Sequence, residues 1–280
     1  MAESNEHEDR NLVLYFLVAF AWSWLFWLPI VLGNLPVLQS SANYVLLLLG
    51  GFGPSVSAFA LTYHNEGQNG LKKLLKRGID HRFDKMWLIP LFLLFPLTLG
   101  SAFLLGTLIE EVTLDLVWLS NPLLLIFPFI AYFFIAGGTP EEFGWRGYAL
   151  DRLQVHYNAF VSSLILGLIW GFWHLPMFFM NGTPTQGVPF WGYLPLIILL
   201  AILFTWLHNN TNGSVFVAIT FHMMFNVTFL VLFPILKFGF YSLPILYGYI
   251  LLLTFAAIII IHKSKDWFEK KHGIYSSAVT

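Results

Sequence analysis

Residues 190–207 read FWGYLPLIILLAILFTWL, an apolar run without a single charged side chain. A helix of about 17 to 25 apolar residues is long enough to cross the hydrocarbon core of a bilayer. Seven other runs have the same character, at about 11–32, 44–63, 87–108, 117–137, 159–180, 215–236 and 244–261. The sequence therefore predicts an all-α protein, a polytopic transmembrane bundle of about eight helices.

The composition of the whole chain agrees with a membrane protein. Hydrophobic residues make up 58% of the chain and charged residues only 10%, whereas soluble domains carry roughly 25% charged residues. The net charge of -1 argues against nucleic acid as a partner, so membrane lipid is the expected partner. Because cysteine is absent, disulfides, a thiol nucleophile and cysteine-ligated metals are excluded. We find no internal repeat and predict a single membrane domain over residues 1–280.

The basic residues predict the orientation of the bundle, because cytoplasmic loops retain Lys and Arg. The first apolar run follows an acidic stretch, which indicates an uncleaved span rather than a signal peptide. With eight spans both termini lie on one side, and every Lys and Arg except Lys237 falls on that side: Arg10, Lys72, Lys73, Lys76, Arg77, Arg82, Lys85, Arg146, Arg152, Lys263, Lys265, Lys270 and Lys271. We expect a multi-pass protein of the plasma membrane with both termini in the cytoplasm.

The segment Gly70–Gly78, GLKKLLKRG, places leucines and basic residues at helical spacing. This pattern predicts a short amphipathic helix at the membrane interface. A basic loop that only sets the topology explains the same residues equally well.

A few ionisable side chains enter the apolar runs, where each costs at least about 2.5 to 3.5 kcal/mol. The first group lies in the stretch GGTPEEFGWRG, residues 137–147. On a helix, Glu142 and Arg146 are i,i+4 neighbours and can pair, while Glu141 is rotated by about 100 degrees. The pattern therefore favours a supporting Glu142–Arg146 ion pair and leaves Glu141 as a candidate general base.

The same stretch has a second explanation that needs no chemistry. Thr139, Pro140 and Glu142 match a capping box with proline in the first helical position. A helix that restarts at Thr139 places Glu141 near the membrane rim. A helix that continues to Arg152 places Glu141 roughly 16 Å above that residue instead.

Two further groups lie in later runs. His174 follows Trp170 by four residues, and His222 precedes Asn226 by four residues, so each pair shares one helix face. A lone intramembrane histidine is often only a helix–helix hydrogen bond, and the His222–Asn226 pair could be interhelical polar contact of about 0.6 kcal/mol.

Taken together, Glu141-Glu142-xxx-Arg146, Trp170-xxx-His174 and His222-xxx-Asn226 resemble the three ordered motifs of the CAAX-protease and bacteriocin-processing (CPBP) family of intramembrane endopeptidases, which includes the type II CAAX prenyl endopeptidases. The resemblance covers residues 122–236, which we expect to form the catalytic core. Trp170 stands where the family pattern has Phe, and we expect it to have a packing role.

The resemblance implies that Glu141 activates water together with His174, and that His222 and Asn226 stabilise the oxyanion. It also implies a membrane-associated or lipidated peptide or protein as substrate. We expect no cofactor, although Glu141, His174 and His222 could in principle bind zinc with a water in the fourth position. The absence of an HExxH motif favours the metal-independent mechanism.

Two other classes of function remain open. A non-catalytic immunity or scaffold protein could use the same bundle to bind a partner. A transporter predicts charged residues along several spans, whereas this sequence concentrates them in one group.

Overall fold

The computed structural model describes residues 2–34, 36–106, 108–109, 117–183, 185–232 and 243–263. Within these residues all regular structure is helical, in agreement with the predicted all-α class. The α-helices are α1 (Ala2–Gly33), α2 (Ser41–Gly51), α3 (Gly53–Arg77), α4 (Leu88–Gly106), α5 (Val117–Ser120), α6 (Ile126–Phe134), α7 (Gly138–Gly144), α8 (Asp151–His156), α9 (Ala159–Trp173), α10 (Phe190–Asn210), α11 (Val215–Val227) and α12 (Leu243–Lys263).

The described helices account for the predicted spans. Six helical segments are long and apolar enough to cross a membrane, and the bent pair α2 and α3 raises the number to seven. The last predicted span corresponds to the shorter apolar helix Tyr247–Lys263. The chain is thus a multi-pass integral membrane protein. Lys237, the one basic residue predicted on the far side, and residues 233–236 of the seventh run lie outside the described residues.

Two breaks shape the helices around the middle of the chain. Helix α2 meets α3 at an angle of 43°, and α3 contains a non-helical residue, Gly67, with a φ of 64°. Helix continues beyond Gly67 to Arg77, so the predicted helical spacing of the basic segment is confirmed and the segment is not a loop.

Helix α7 lies among the other helices and is the first part of a continuous helical stretch that ends at His156. It is followed by a π-helical segment, Trp145–Leu150, and then by α8. Helix α7 packs against α3 and α11, and the π-helical segment also contacts α9 and α10. Because helices surround it on these sides, every residue from Pro140 to Gln154 is buried.

Three polar side chains meet where α3 ends, α8 begins and α10 ends. They are Arg77, Asp151 and His208, and we call them the Arg77 cluster. The Arg77 Nη1 donates to Asp151 Oδ2 at 2.6 Å, and Arg77 Nη2 lies 3.3 Å from His208 Nε2. Since these residues come from α3, α8 and α10, the cluster links three helices.

Candidate active site

Gly137 makes the turn that starts the site helix. Helix α6 ends at Phe134, α7 begins at Gly138, and Gly137 between them has a φ of 111°. That backbone conformation is accessible to glycine and strained for residues with a Cβ. Gly137 is the N-cap and no side chain caps the helix, so the capping-box explanation with Thr139 as the cap is wrong.

The position of Glu141 combines the two alternatives considered for this helix. The helix restarts, but at Gly138, and then continues to His156. Glu141 therefore stands eleven residues before Arg152, roughly 16 Å along the axis at 1.5 Å per residue. Arg152 lies 3.4 Å from Glu66 of α3, so Glu141 lies well inside the bundle relative to that ion pair.

Glu142 is the centre of a buried ionic group. Arg146 Nη1 donates to both Glu142 oxygens at 2.9 Å, which confirms the predicted i,i+4 pair. His222 Nδ1 lies 2.6 Å from Glu142 Oε1. The side chains of Glu142 and Arg146 are completely buried, so the negative charge is compensated by Arg146 one turn along the same helix and by His222 on α11.

The contact with Glu142 assigns the tautomer of His222. A carboxylate paired with a guanidinium accepts hydrogen bonds, so His222 Nδ1 carries the proton and donates it. In the neutral ring, His222 Nε2 is then an acceptor. That nitrogen lies 3.9 Å from Glu141 Oε1. Glu142 thus orients the His222 ring through Nδ1, and Nε2 is directed at Glu141.

Glu141 has one oxygen held firmly and one less constrained. Its Oε2 accepts from Trp170 Nε1 at 2.7 Å and from Trp145 Nε1 at 3.2 Å. Within the described part of the chain, Oε1 accepts no hydrogen bond and has the His222 ring nitrogen as its polar neighbour. The residue is only 6% exposed. Two indole donors on Oε2 fix the carboxyl group and leave Oε1 to face the site.

Trp170 therefore does more than pack, which corrects the expectation from the sequence. Its indole N–H donates the shorter of the two hydrogen bonds to Glu141. Its ring also lies beside the rings of His174 and His222. A phenylalanine at this position, as in the family pattern, has no donor. The signal in the sequence was the departure itself, a tryptophan in the place of a phenylalanine.

His174 stands at the end of α9, next to this tryptophan. Its Nδ1 lies 2.8 Å from the Trp170 carbonyl oxygen. Because a carbonyl only accepts, Nδ1 carries the proton and Nε2 is an acceptor in the neutral ring. His174 is 9% exposed. Its ring lies beside the rings of Trp170 and Tyr193.

Asn226 and His222 meet at the Gly137 turn. Asn226 Nδ2 donates to the carbonyl of Ala136 at 3.3 Å. A Cβ added to Gly137 would lie 2.5 Å from Asn226 Nδ2 and 2.9 Å from His222 Nε2. The missing side chain at Gly137 thus leaves room in front of both polar groups.

Arg146 is sandwiched between aromatic rings. Its guanidinium carbon lies 4.6 Å from the Trp170 ring centroid and 4.1 Å from that of Phe204. Among the described residues, its Nε and Nη2 find no hydrogen-bond partner although both are buried. Cation–π contacts compensate part of that cost.

The possible zinc ligands do not form a metal site. Within the residues that the structure describes, no three His, Cys, Asp or Glu side chains are arranged to hold a metal ion. The Nδ1 atoms of His174 and His222 are both engaged by oxygens of the protein, which leaves Nε2 as the available nitrogen of each ring. Glu141, His174 and His222 are thus not gathered into a metal-binding group among the described residues, and no step below involves a metal.

The structure brings together most of the residues singled out from the sequence. Glu141, Glu142, Arg146 and His222, which we call the Glu142 cluster, come from α7, the π-helical segment and α11 and are linked by the distances above. Asn226 joins them through Gly137, and His174 through Trp170. Sequence reasoning missed the contributions of Gly137, Trp145 and Trp170. The double glycine before the acidic pair was the visible signal for the turn.

Comparisons with known proteins agree with the motif resemblance. A family model described as type II CAAX prenyl endopeptidase Rce1-like matches residues 122–228, which include every candidate site residue. The CAAX prenyl protease 2 of Methanococcus maripaludis is 27% identical over 226 residues, which cover 78% of this chain and 83% of that protein. The resemblance to this family is confirmed.

Proposed function

We propose that this protein is an intramembrane endopeptidase in which Glu141 is the general base. The observation that carries the proposal is the asymmetry of the Glu141 carboxyl group. Oε2 accepts from two tryptophan N–H groups, whereas Oε1 faces the acceptor nitrogen of His222 at 3.9 Å. The two hydrogen bonds to Oε2 fix the orientation of the carboxylate, and Oε1 is the oxygen that can take a proton from water.

The proposed reaction begins with one water molecule between Glu141 and His174. Glu141 Oε1 takes a proton from the water, and the remaining hydroxide attacks the scissile carbonyl carbon. His174 Nε2 is an acceptor because its Nδ1 donates to a carbonyl, so it can hold the second water hydrogen. The proton on Glu141 then passes to the leaving amine, and the peptide bond breaks.

The oxyanion of the tetrahedral intermediate needs donors where the charge develops. Asn226 Nδ2 is such a donor without any change of protonation. His222 Nε2 donates to the oxyanion only from the doubly protonated ring, in which Nδ1 keeps its 2.6 Å contact with Glu142 Oε1. Glu142 thus orients His222 in addition to pairing with Arg146.

The similarity to a prenyl protease supports a membrane-associated, prenylated protein as the substrate class. We also propose the plasma membrane as the location, with both termini in the cytoplasm, because every Lys and Arg except Lys237 falls on one side of the predicted eight-span topology. No nucleic acid enters the proposal.

The proposal is tested with Glu141→Gln in the full-length protein reconstituted with a fluorogenic farnesylated CAAX peptide. Glutamine still accepts the tryptophan hydrogen bonds but is not a base, so cleavage should fall by about 10² to 10⁴-fold. Glu66→Gln is the matched control, because Glu66 pairs with Arg152 on another helix. It should retain activity within about twofold.

A non-catalytic scaffold gives a different result in the same experiment. Such a protein would release no cleaved peptide above the background in its wild-type form. Equal cleavage by the wild-type protein and Glu141→Gln would remove Glu141 from the mechanism.

A further inference from the structure

An open groove lies beside α7, and no residue of the Glu142 cluster belongs to its lining. It has a volume of about 740 Å³, within the roughly 300 to 1,000 Å³ of small-molecule sites. The groove runs between α3, α6, α7 and α11 and is lined by Lys72, Leu75, Lys76, Gly78, Ile79, Phe133, Phe134, Thr139, Phe143, Phe216 and Ile219. We call it the lysine-rimmed groove.

The charge around this groove has one sign. Lys72 and Lys76 are both exposed, and no aspartate or glutamate belongs to the lining. Neither lysine has an ion-pair partner among the described residues, whereas Arg77 and Arg152 on the same side are paired with Asp151 and Glu66. Two cations without a protein partner suit an anion.

The wall of the groove suits a hydrocarbon chain better than a peptide. Leu75, Ile79 and Phe134 are exposed in it by 45%, 73% and 58%. An extended peptide brings a donor and an acceptor at each residue. Apart from the lysines, the only polar side chain in this lining is Thr139, which has one hydroxyl. The backbone carbonyl of Thr139 already accepts a hydrogen bond from the Ser55 hydroxyl. An acyl chain makes no such demand.

We propose that the lysine-rimmed groove binds an anionic phospholipid, with the phosphate at Lys72 and Lys76 and an acyl chain along the phenylalanines. The bound lipid would touch Thr139 and Phe143, which lie on α7 on either side of Glu141 and Glu142. Phe143 itself packs on Phe59 of α3 at 5.1 Å between ring centroids. The lipid therefore contacts the helix that carries the site without entering the site.

The test is native mass spectrometry of the full-length, delipidated protein titrated with dioleoylphosphatidylglycerol or dioleoylphosphatidylcholine. The wild-type protein should retain one phosphatidylglycerol in preference to phosphatidylcholine by roughly tenfold or more, since basic residues near a membrane each attract anionic lipid. Lys72→Gln/Lys76→Gln should abolish this preference. Phe134→Asp, which adds a carboxylate to the wall, should also lower it.

The matched control is Lys85→Gln/Lys263→Gln, which removes two exposed lysines outside the groove. This variant should keep the wild-type preference. An equal loss in both double variants would overturn the proposal, because it would show attraction by diffuse charge. The proposal would also fail if inorganic phosphate or glycerol 3-phosphate displaced the lipid, since the acyl chain would then be unnecessary.

Lipid binding is measured without substrate, so the result does not depend on the proposed peptidase activity. If Lys72→Gln/Lys76→Gln kept the lipid preference and instead raised the KM for the farnesylated peptide, the groove would hold substrate. That outcome would overturn the lipid proposal and leave the proposed function in place.

Discussion

The Arg77 cluster and the Glu142 cluster contain the same three kinds of side chain, an arginine, a histidine and a carboxylate, but they are completed differently. Arg77 donates to the carbonyls of Gly147 and Gly213 at 3.0 Å and to Asp151 at 2.6 Å, and it lies 3.3 Å from His208. All three of its nitrogens therefore have a partner. The cluster ties α3 to the π-helical segment and to the loop before α11.

Arg146 in the Glu142 cluster is more deeply buried and less completely bonded. Arg146 Nη1 donates both hydrogen bonds to Glu142, and within the described residues Nε and Nη2 donate none. Nearby, Glu141 Oε1 faces an acceptor nitrogen of His222. Buried polar groups are normally satisfied, so these open positions are a cost to stability.

The contrast assigns the two clusters to different tasks: the Arg77 cluster holds the fold, and the Glu142 cluster is available for chemistry. In the Arg77 cluster every guanidinium nitrogen has a partner, and the network stabilises three helices although His208 Nδ1 is buried without a hydrogen bond among the described residues. An open network keeps polar atoms ready for water and a developing charge, a known trade of stability for activity. Residue types alone do not distinguish the two cases.

The largest effect is expected from breaking the Arg77 cluster with Asp151→Ala. Removal of the carboxylate leaves Arg77 without its anion beside a buried histidine, and such a loss costs about 3 to 5 kcal/mol. Thermal unfolding of the purified protein in detergent should show a much lower melting temperature than wild type. Glu141→Gln should melt close to wild type, and a reversed order of the two variants would contradict the assignment of their roles.

The next effect is expected from filling the open cluster with Gly137→Ala. The added Cβ would collide with Asn226 Nδ2 at 2.5 Å, on a backbone with a φ of 111°. Misplacement of reacting groups by about 1 Å costs about 10²-fold in rate, so we expect a loss of that size in the peptide-cleavage assay.

Gly51→Ala is the control for this variant, because a Cβ at Gly51 meets nothing within 4 Å. It should cleave like the wild type. Full activity of Gly137→Ala would mean that the space before His222 and Asn226 is not used.

A smaller effect is expected from Trp170→Phe, which restores the residue of the family pattern. The variant removes the 2.7 Å hydrogen bond to Glu141 and leaves the one from Trp145. Hydrogen bonds to charged groups contribute about 1.5 to 3 kcal/mol, so kcat should fall by roughly tenfold with little change in KM.

Trp22→Phe provides the comparison, since Trp22 donates to the Leu49 carbonyl on an exposed helix face. Its kcat should stay at the wild-type value. A change in KM instead of kcat for Trp170→Phe would indicate that Trp170 contacts substrate rather than positioning the base.

The smallest effect is expected for the exposed pair Arg82–Asp80. The Arg82 side chain lowers the pKa of Asp80 from 3.8 to about 2 through its hydrogen bonds to the carboxylate. A depressed carboxyl pKa stabilises the folded state above about pH 4, and this contribution is lost as the pH falls toward 2. Exposed pairs contribute little, so Arg82→Gln should leave the melting temperature at pH 7 unchanged, and a clear decrease would contradict this view.

Several features of the fold and site followed from residues close in sequence. The apolar runs predicted the helices because a helix closes its own backbone hydrogen bonds, as lipid requires. The Glu142–Arg146 pair followed from the i,i+4 spacing. The three motifs also predicted the family resemblance, since their order and spacing are visible in the chain.

Other features depended on partners far away in sequence. Trp170 reaches Glu141 across 29 positions and His222 reaches Glu142 across 80. No local pattern states which of two adjacent glutamates meets the indoles and which meets the imidazole. The start of α7 at Gly138 was missed because Thr139 and Pro140 satisfied a local rule that the tertiary packing overrode.

Hydropathy and helical spacing act over neighbouring residues, so the amino-acid sequence was enough to predict that this chain crosses a membrane and carries few ionisable groups inside its helices. Only the packing of the helices explains why every nitrogen of Arg77 has a partner, whereas a single nitrogen of Arg146 does among the described residues. Hydrogen-bond satisfaction is a property of positions in space, since a donor and its acceptor must lie within about 3 Å whatever their separation along the chain.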